Sequence, residues 1–208
     1  MSEPTRPNTP ADAWKAILDG NQRFVTGAPA HPRQDIDRRA SLASAQKPFA
    51  ALFGCADSRL SAEIIFDVGL GDLFVVRNAG QVIAETILGS LEYSVEVLGV
   101  PLILVLGHDE CGAVRATIDA TEGKLATKGE FIMNLVSRIR PTVEAVNREG
   151  KHHIDDVTAQ HIQDTISEIL DRSKLISDAV TAGKLAVVGA NYKLADGDIH
   201  PLVVVGNI

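Results

Sequence analysis

The chain has 208 residues, 45% apolar and 23% charged, which fits one folded domain and excludes disorder as the main state. Lys and Arg total 20 against 27 Asp and Glu, a formal charge of -7, so no global basic field gathers nucleic acid or anionic lipid. The apolar runs are too short to span a bilayer, and the N-terminus lacks the apolar core of a secretory leader, so the expected compartment is the cytoplasm.

In chain order, residues 1–8 are polar with two prolines and read as a loose tail. Thr9-Pro10 then reads as an N-cap and first helical position, with Asp12 in the first turn. Trp14, Ile17 and Leu18 share one helical face, and Gly20 weakens the pattern. The plainer reading is a helix lying on its own core; the alternative is an arm on a neighbouring subunit.

After Pro48 the chain alternates. Apolar runs Phe49 to Phe53, Leu73 to Val76, Leu102 to Leu106 and Leu185 to Val188 are each bounded by Gly, Pro or polar residues. Such runs read as strands buried on both faces, the pattern of a parallel sheet. Three helical stripes lie between or after them. The first runs from Ile83 to Leu98 and the second from Ile132 to Val146, with a kink or restart at Pro141. The third runs from Ile162 through Ser173 to Val180 and ends near Gly183. Leu202 to Val205 reads as an edge strand or a C-terminal extension. Strands alternating with helices predict an α/β fold: an open, mostly parallel sheet flanked by helices, with an N-terminal helical arm. No repeat or linker divides the chain, so 1–208 is one domain, of which about 1–40 is tail and arm.

In an open α/β sheet, ligands bind beyond the carboxyl ends of the strands. The first predicted strand ends at Cys55, followed by Ala56-Asp57-Ser58-Arg59. The third ends at Gly107-His108, followed by Asp109-Glu110-Cys111-Gly112. His108 and Cys111 converge in a turn, and Cys55 joins them if the two strands are neighbours. Two thiolates and one imidazole suit zinc, and three protein ligands leave one tetrahedral position open, as in catalytic sites. Asp57 and Arg59 share the loop after Cys55. An exposed ion pair is worth little by itself. Beside a metal, however, Arg59 would hold Asp57 ionised and aimed at the open position, and without that grip Asp57 would close it. His31, His152, His153, His161 and His200 lack partners at metal spacing and read as surface or packing residues. Gly69-Leu70-Gly71 has Phe74 where a dinucleotide fingerprint needs its third glycine. There is no phosphate loop or nucleophile elbow, and Cys55 and Cys111 form no Cys-x-x-Cys redox pair.

At Cys55-Ala56-Asp57-Ser58-Arg59 and Gly107-His108-Asp109-Glu110-Cys111-Gly112, and at Leu73 to Gly80 between them, the sequence resembles the β-class carbonic anhydrases. The resemblance is strongest from about Lys47 to Gly112. It implies one zinc per chain on Cys55, His108 and Cys111, and Asp57 with Arg59 as a catalytic dyad. It also implies reversible hydration of carbon dioxide to bicarbonate and a proton, by zinc-bound hydroxide that Asp57 orients. The Gly112 amide would bind a bicarbonate oxygen. A homodimer or homotetramer follows, with residues 9–26 as an intersubunit arm, as does a closed state with Asp57 on zinc. Two departures stand out. Gly69 occupies the place of the plant-type substrate-orienting Gln, which leaves the orientation of bicarbonate unassigned. Leu52 occupies the place of the Trp that marks a bicarbonate-regulated subgroup, so inhibition at that pocket is not expected. Hydrolysis of carbon disulfide or carbonyl sulfide, or a non-catalytic zinc protein with Asp57 as fourth ligand, are the competing readings.

Overall fold

A computed structural model describes residues 6–127 and 129–208. The expected tail therefore lies mostly outside the described residues. Five strands form one sheet: β1 Ala50–Cys55, β2 Leu73–Asn78, β3 Leu102–His108, β4 Ala186–Tyr192 and β5 Ile199–Val205. Their order is β2-β1-β3-β4-β5; the first four are parallel and β5 runs antiparallel to β4. The C-terminal run is thus an edge strand.

β1, β3 and β4 are buried along their whole length, as apolar runs in a parallel sheet require. β2 departs from that expectation, because it lies at the other edge and is only partly buried.

Among the described residues, eight α-helices connect or flank the strands: α1 Pro10–Val25, α2 Ile36–Ser41, α3 Ala62–Ile65, α4 Glu85–Glu96, α5 Gly112–Thr121, α6 Glu130–Arg148, α7 Ile154–Arg172 and α8 Lys174–Thr181. Thr9 caps α1 through its hydroxyl, with Pro10 as first residue. The helix passes Pro141 within α6 without restarting. The third predicted stripe, however, is two helices. Ser173 takes extended angles, and its hydroxyl accepts from the Ile176 amide to cap α8, so a local side-chain bond replaces helix continuation. The same hydroxyl donates to Glu92, tying the break to α4.

The sheet has a core on each face. One holds Ala13, Trp14 and Ile17 of α1 against Ile65, Phe66, Leu52 and Leu104. The other holds Leu88 and Leu91 of α4 with Ile162, Ile166 and Ile169 of α7 against Phe53, Ile103 and Val105. A third cluster joins α5, α6 and α7 beside Cys55 and Cys111. Glycine lets α7 come close: a Cβ on Gly107 or Gly189 would stand 2.5 or 2.6 Å from Ile162. Among the described residues, no helix is long and apolar enough to cross a membrane.

α1 packs on this chain's own core, leaving Leu18 and Val25 on its exposed side. Gly20, a weak point in the helical pattern, is a packing requirement, since a Cβ there would lie 1.8 Å from the Phe66 carbonyl oxygen. Gly20→Ala is expected to lower unfolding stability by about 1–3 kcal/mol, measured by urea titration. A loss below about 0.5 kcal/mol would show that α1 is not seated there.

Candidate metal centre

β1 lies between β2 and β3, so the chain leaves the end of β1 toward one side and reaches the end of β3 from the other. Crevices open at such reversals of strand order. Cys55 is the last residue of β1 and His108 the last of β3, while Cys111 immediately precedes α5. The expected neighbour relation of the two strands therefore holds, and the three side chains meet. Their candidate ligand atoms all lie within 4.8 Å of one another.

All three are buried, at 5%, 0% and 2% exposure for Cys55, His108 and Cys111. His108 Nδ1 lies 2.7 Å from the Asp109 carbonyl oxygen, which only accepts, so Nδ1 carries the proton. That leaves His108 Nε2 with a free lone pair and, among the described residues, no hydrogen-bond partner. A buried polar atom left this way calls for a ligand. The donor set of two sulfurs and one imidazole nitrogen fits zinc, with the nitrogen already in the ligating tautomer.

The backbone around Cys55 is held from β2. Arg77 donates through Nε to the Cys55 carbonyl at 2.8 Å and through a terminal nitrogen to the Asp57 carbonyl at 2.6 Å. The Asn78 side chain accepts from the Val82 amide and donates to its carbonyl, closing the single 3-10 turn Ala79–Gln81. Gly80, at φ 75°, directs its amide to Cys55 Sγ at 3.4 Å.

Asp57 and Arg59 form the expected pair. Arg59 Nε and a terminal nitrogen reach the two carboxylate oxygens at 2.9 and 2.7 Å, and the Arg59 amide adds a third bond at 2.9 Å. Arg59 is also tied to the Glu110 carbonyl on the other loop. These hydrogen bonds hold the Asp57 carboxyl well below the usual carboxylate range. Asp57 Oδ2 stands 4.0 Å from His108 Nε2, so the carboxylate borders the centre while gripped by Arg59.

Gly112 opens α5 and is exposed; a Cβ there would meet nothing within 4 Å. Its amide belongs to the first turn of α5, where backbone N–H groups have no partner within the helix. Gly69 is filled in from outside: a Cβ would lie 2.3 Å from the Pro32 carbonyl oxygen, so no side chain fits where a Gln was looked for. Leu52 is buried in β1.

Among the histidines read as surface or packing residues, His161 differs from the rest. It is buried, and its Nε2 lies 2.7 Å from the Gly80 carbonyl oxygen. No local spacing announces that contact, because it joins α7 to a turn 81 residues earlier. A cavity of about 580 Å³ lies at the opposite end of the sheet, between α1 and residues 30–49, and its Arg23 and Arg33 are paired to Asp67 and Asp72. It takes no part in this centre.

Comparison with known proteins agrees with this geometry. Residues 50–199 match the family model described as carbonic anhydrase. The chain is 50% identical over 204 residues to carbonic anhydrase 2 of Mycobacterium tuberculosis, covering 97% of this chain and 98% of that one. It is 30% identical over 197 residues to β carbonic anhydrase 3 of Arabidopsis thaliana, covering 89% and 75%. Its fold superposes on one of two tetrameric β-carbonic anhydrases from Sordaria macrospora with a TM-score of 0.73, at 21% identity, covering 94% of this chain and 100% of that one.

The two thiols, 4.0 Å apart, act as one unit without metal. A hydrogen bond from Cys111 pushes the Cys55 thiol down to about 4, and the hydrogen bond to that neighbouring sulfur raises Cys111. At neutral pH the pair keeps one proton, which a metal bound to both sulfurs displaces. Zinc loading is therefore expected to release about one proton per chain from this pair, and affinity should fall about tenfold per pH unit on acidification. Calorimetry in buffers of different ionisation enthalpy measures both; an affinity independent of pH would refute the pairing.

Proposed function

Because the chain belongs to the β-class carbonic anhydrases, we propose that Cys55, His108 and Cys111 hold one zinc ion and that reversible hydration of carbon dioxide to bicarbonate and a proton takes place beside it. The observation that carries this reading is the meeting of two thiols and an unpartnered imidazole nitrogen, with an ionised carboxylate 4.0 Å from that nitrogen. When bound, zinc supplies the Lewis acidity that lets a water molecule lose a proton near neutral pH.

The chain's own groups supply orientation. Arg59 occupies both Asp57 oxygens, so the carboxylate stays ionised and stays off the metal position. An ionised carboxylate only accepts hydrogen bonds. Asp57 Oδ2 would therefore accept a hydrogen bond from the attacking oxygen's O–H and so turn its lone pair toward the carbon of carbon dioxide. The Gly112 amide, with the positive end of α5 behind it, is placed to receive a bicarbonate oxygen. Val82, Val114 and Ile139 share one buried apolar cluster with Cys55 and Cys111, surroundings that suit an apolar gas.

Two competing readings share the site. Carbon disulfide or carbonyl sulfide would use the same centre, and the three gases are separated by their rates. A non-catalytic zinc protein needs Asp57 as fourth ligand, which the Arg59 grip opposes. We further propose a homodimer or homotetramer, in keeping with the open edge of β2 and the exposed face of α1.

Zinc-replete protein is expected to hydrate carbon dioxide well above the buffer rate at about pH 8 in stopped flow. No rate with one zinc per chain confirmed would end the proposal. Asp57→Ala should keep its zinc and lose about 10- to 100-fold in kcat/KM. Cys55→Ala and His108→Ala should lose the metal, read by atomic absorption after gel filtration.

A further inference from the structure

Gly80 links two buried contacts. Its amide donates to Cys55 Sγ at 3.4 Å, and its carbonyl accepts from His161 Nε2 at 2.7 Å. A carbonyl oxygen only accepts, so His161 carries its proton on Nε2. The ring is 6% exposed, and burial lowers its pKa, which keeps it neutral. His161 stands next to Ile162, which fills the gap left by Gly107 and Gly189, so the close seat of α7 on the sheet sets the height of the imidazole.

The turn that His161 holds is strained. Gly80 has φ 75° and Gln81 φ 40°, the latter a left-handed angle on a residue with a side chain. Rotation of the peptide between them would relieve Gln81. That rotation would also free the carbonyl from the His161 side chain in a buried setting, where an unpaired acceptor costs about 1–3 kcal/mol. The Gly80 Cα joins this peptide to the one carrying the amide, so anchoring the carbonyl restrains where Gly80, and with it the N–H, lies over the sulfur.

We infer that His161 is a positioning residue for the metal centre: through Gly80 it holds a hydrogen bond on the Cys55 sulfur, and so limits the charge that this sulfur donates to a metal. Two thiolates make a metal electron-rich and a poor Lewis acid. An N–H bond to one sulfur withdraws part of that charge. The inference rests on the reading of Cys55 as a ligand.

Cadmium-113 substitution tests it without a variant. A scalar coupling between the metal and the Gly80 amide proton is expected across the sulfur; a cadmium–thiolate centre with no such coupling overturns the inference while leaving the ligand reading intact. Absence of any cadmium–thiolate absorption removes both. Variants give a second readout. His161→Gln, which can present an N–H at the same distance, should keep the sulfur-to-cobalt absorption and the rate of zinc release to a chelator within twofold. His161→Phe should shift that absorption and change the rate of zinc release about tenfold. A folded His161→Phe with unchanged spectrum and release would make His161 a packing residue only. If His161→Phe does not fold, the cadmium coupling and the His161→Gln comparison decide.

Discussion

The pairing of β1 with β3 is the contact on which the rest of the carboxyl end of the sheet depends. Leu52, Phe53 and Gly54 of β1 register with Leu104, Val105 and Leu106 of β3, so the two strands finish within one residue of the same level. Cys55 and His108 then stand side by side although 53 positions separate them. Crossovers through α3 and α4 place β2 on one side of β1 and β3 on the other, the reversal of strand order at which a crevice opens. A different strand order would leave each ligand alone at the end of its own strand.

The centre is polar in an apolar setting, and its backbone is correspondingly over-determined. Arg77 spans the Cys55 and Asp57 carbonyls, Asn78 closes the turn above them, and Arg59 bridges to the Glu110 carbonyl. The bond to the Cys55 carbonyl satisfies a group that burial would otherwise penalise. Together they connect the β1, β2 and β3 ends, so the loops that carry the candidate ligands move as one body. Rigid support of this kind lets donor atoms stand close before any metal arrives.

The dyad shows the same economy at the edge of solvent. Arg59 is exposed, and an isolated pair of this type contributes little to stability. Its value here is geometric. Three hydrogen bonds settle where the carboxylate points and keep it ionised, beside a nitrogen that offers a lone pair.

Much of this was legible in residue order. Apolar runs ending in Cys55 and His108, the three-residue step to Cys111 and the adjacent Asp57-x-Arg59 are local patterns. Strand character and helix spacing follow from short-range sterics and periodicity. Errors arose where a local pattern was overridden by its surroundings. Leu73 to Val76 reads as fully buried but lies at an edge, and the stripe through Ser173 reads as one helix but is cut by a hydroxyl cap. Residue order alone determined which groups have metal-ligand chemistry and which strand ends carry them. Tertiary structure decided that those ends are adjacent, that Gly20 and Gly69 are sites of close approach, and that His161 reaches the turn over Cys55. Those facts depend on strand order and helix seating, which arise from packing across the whole chain and leave no trace in any short stretch of it.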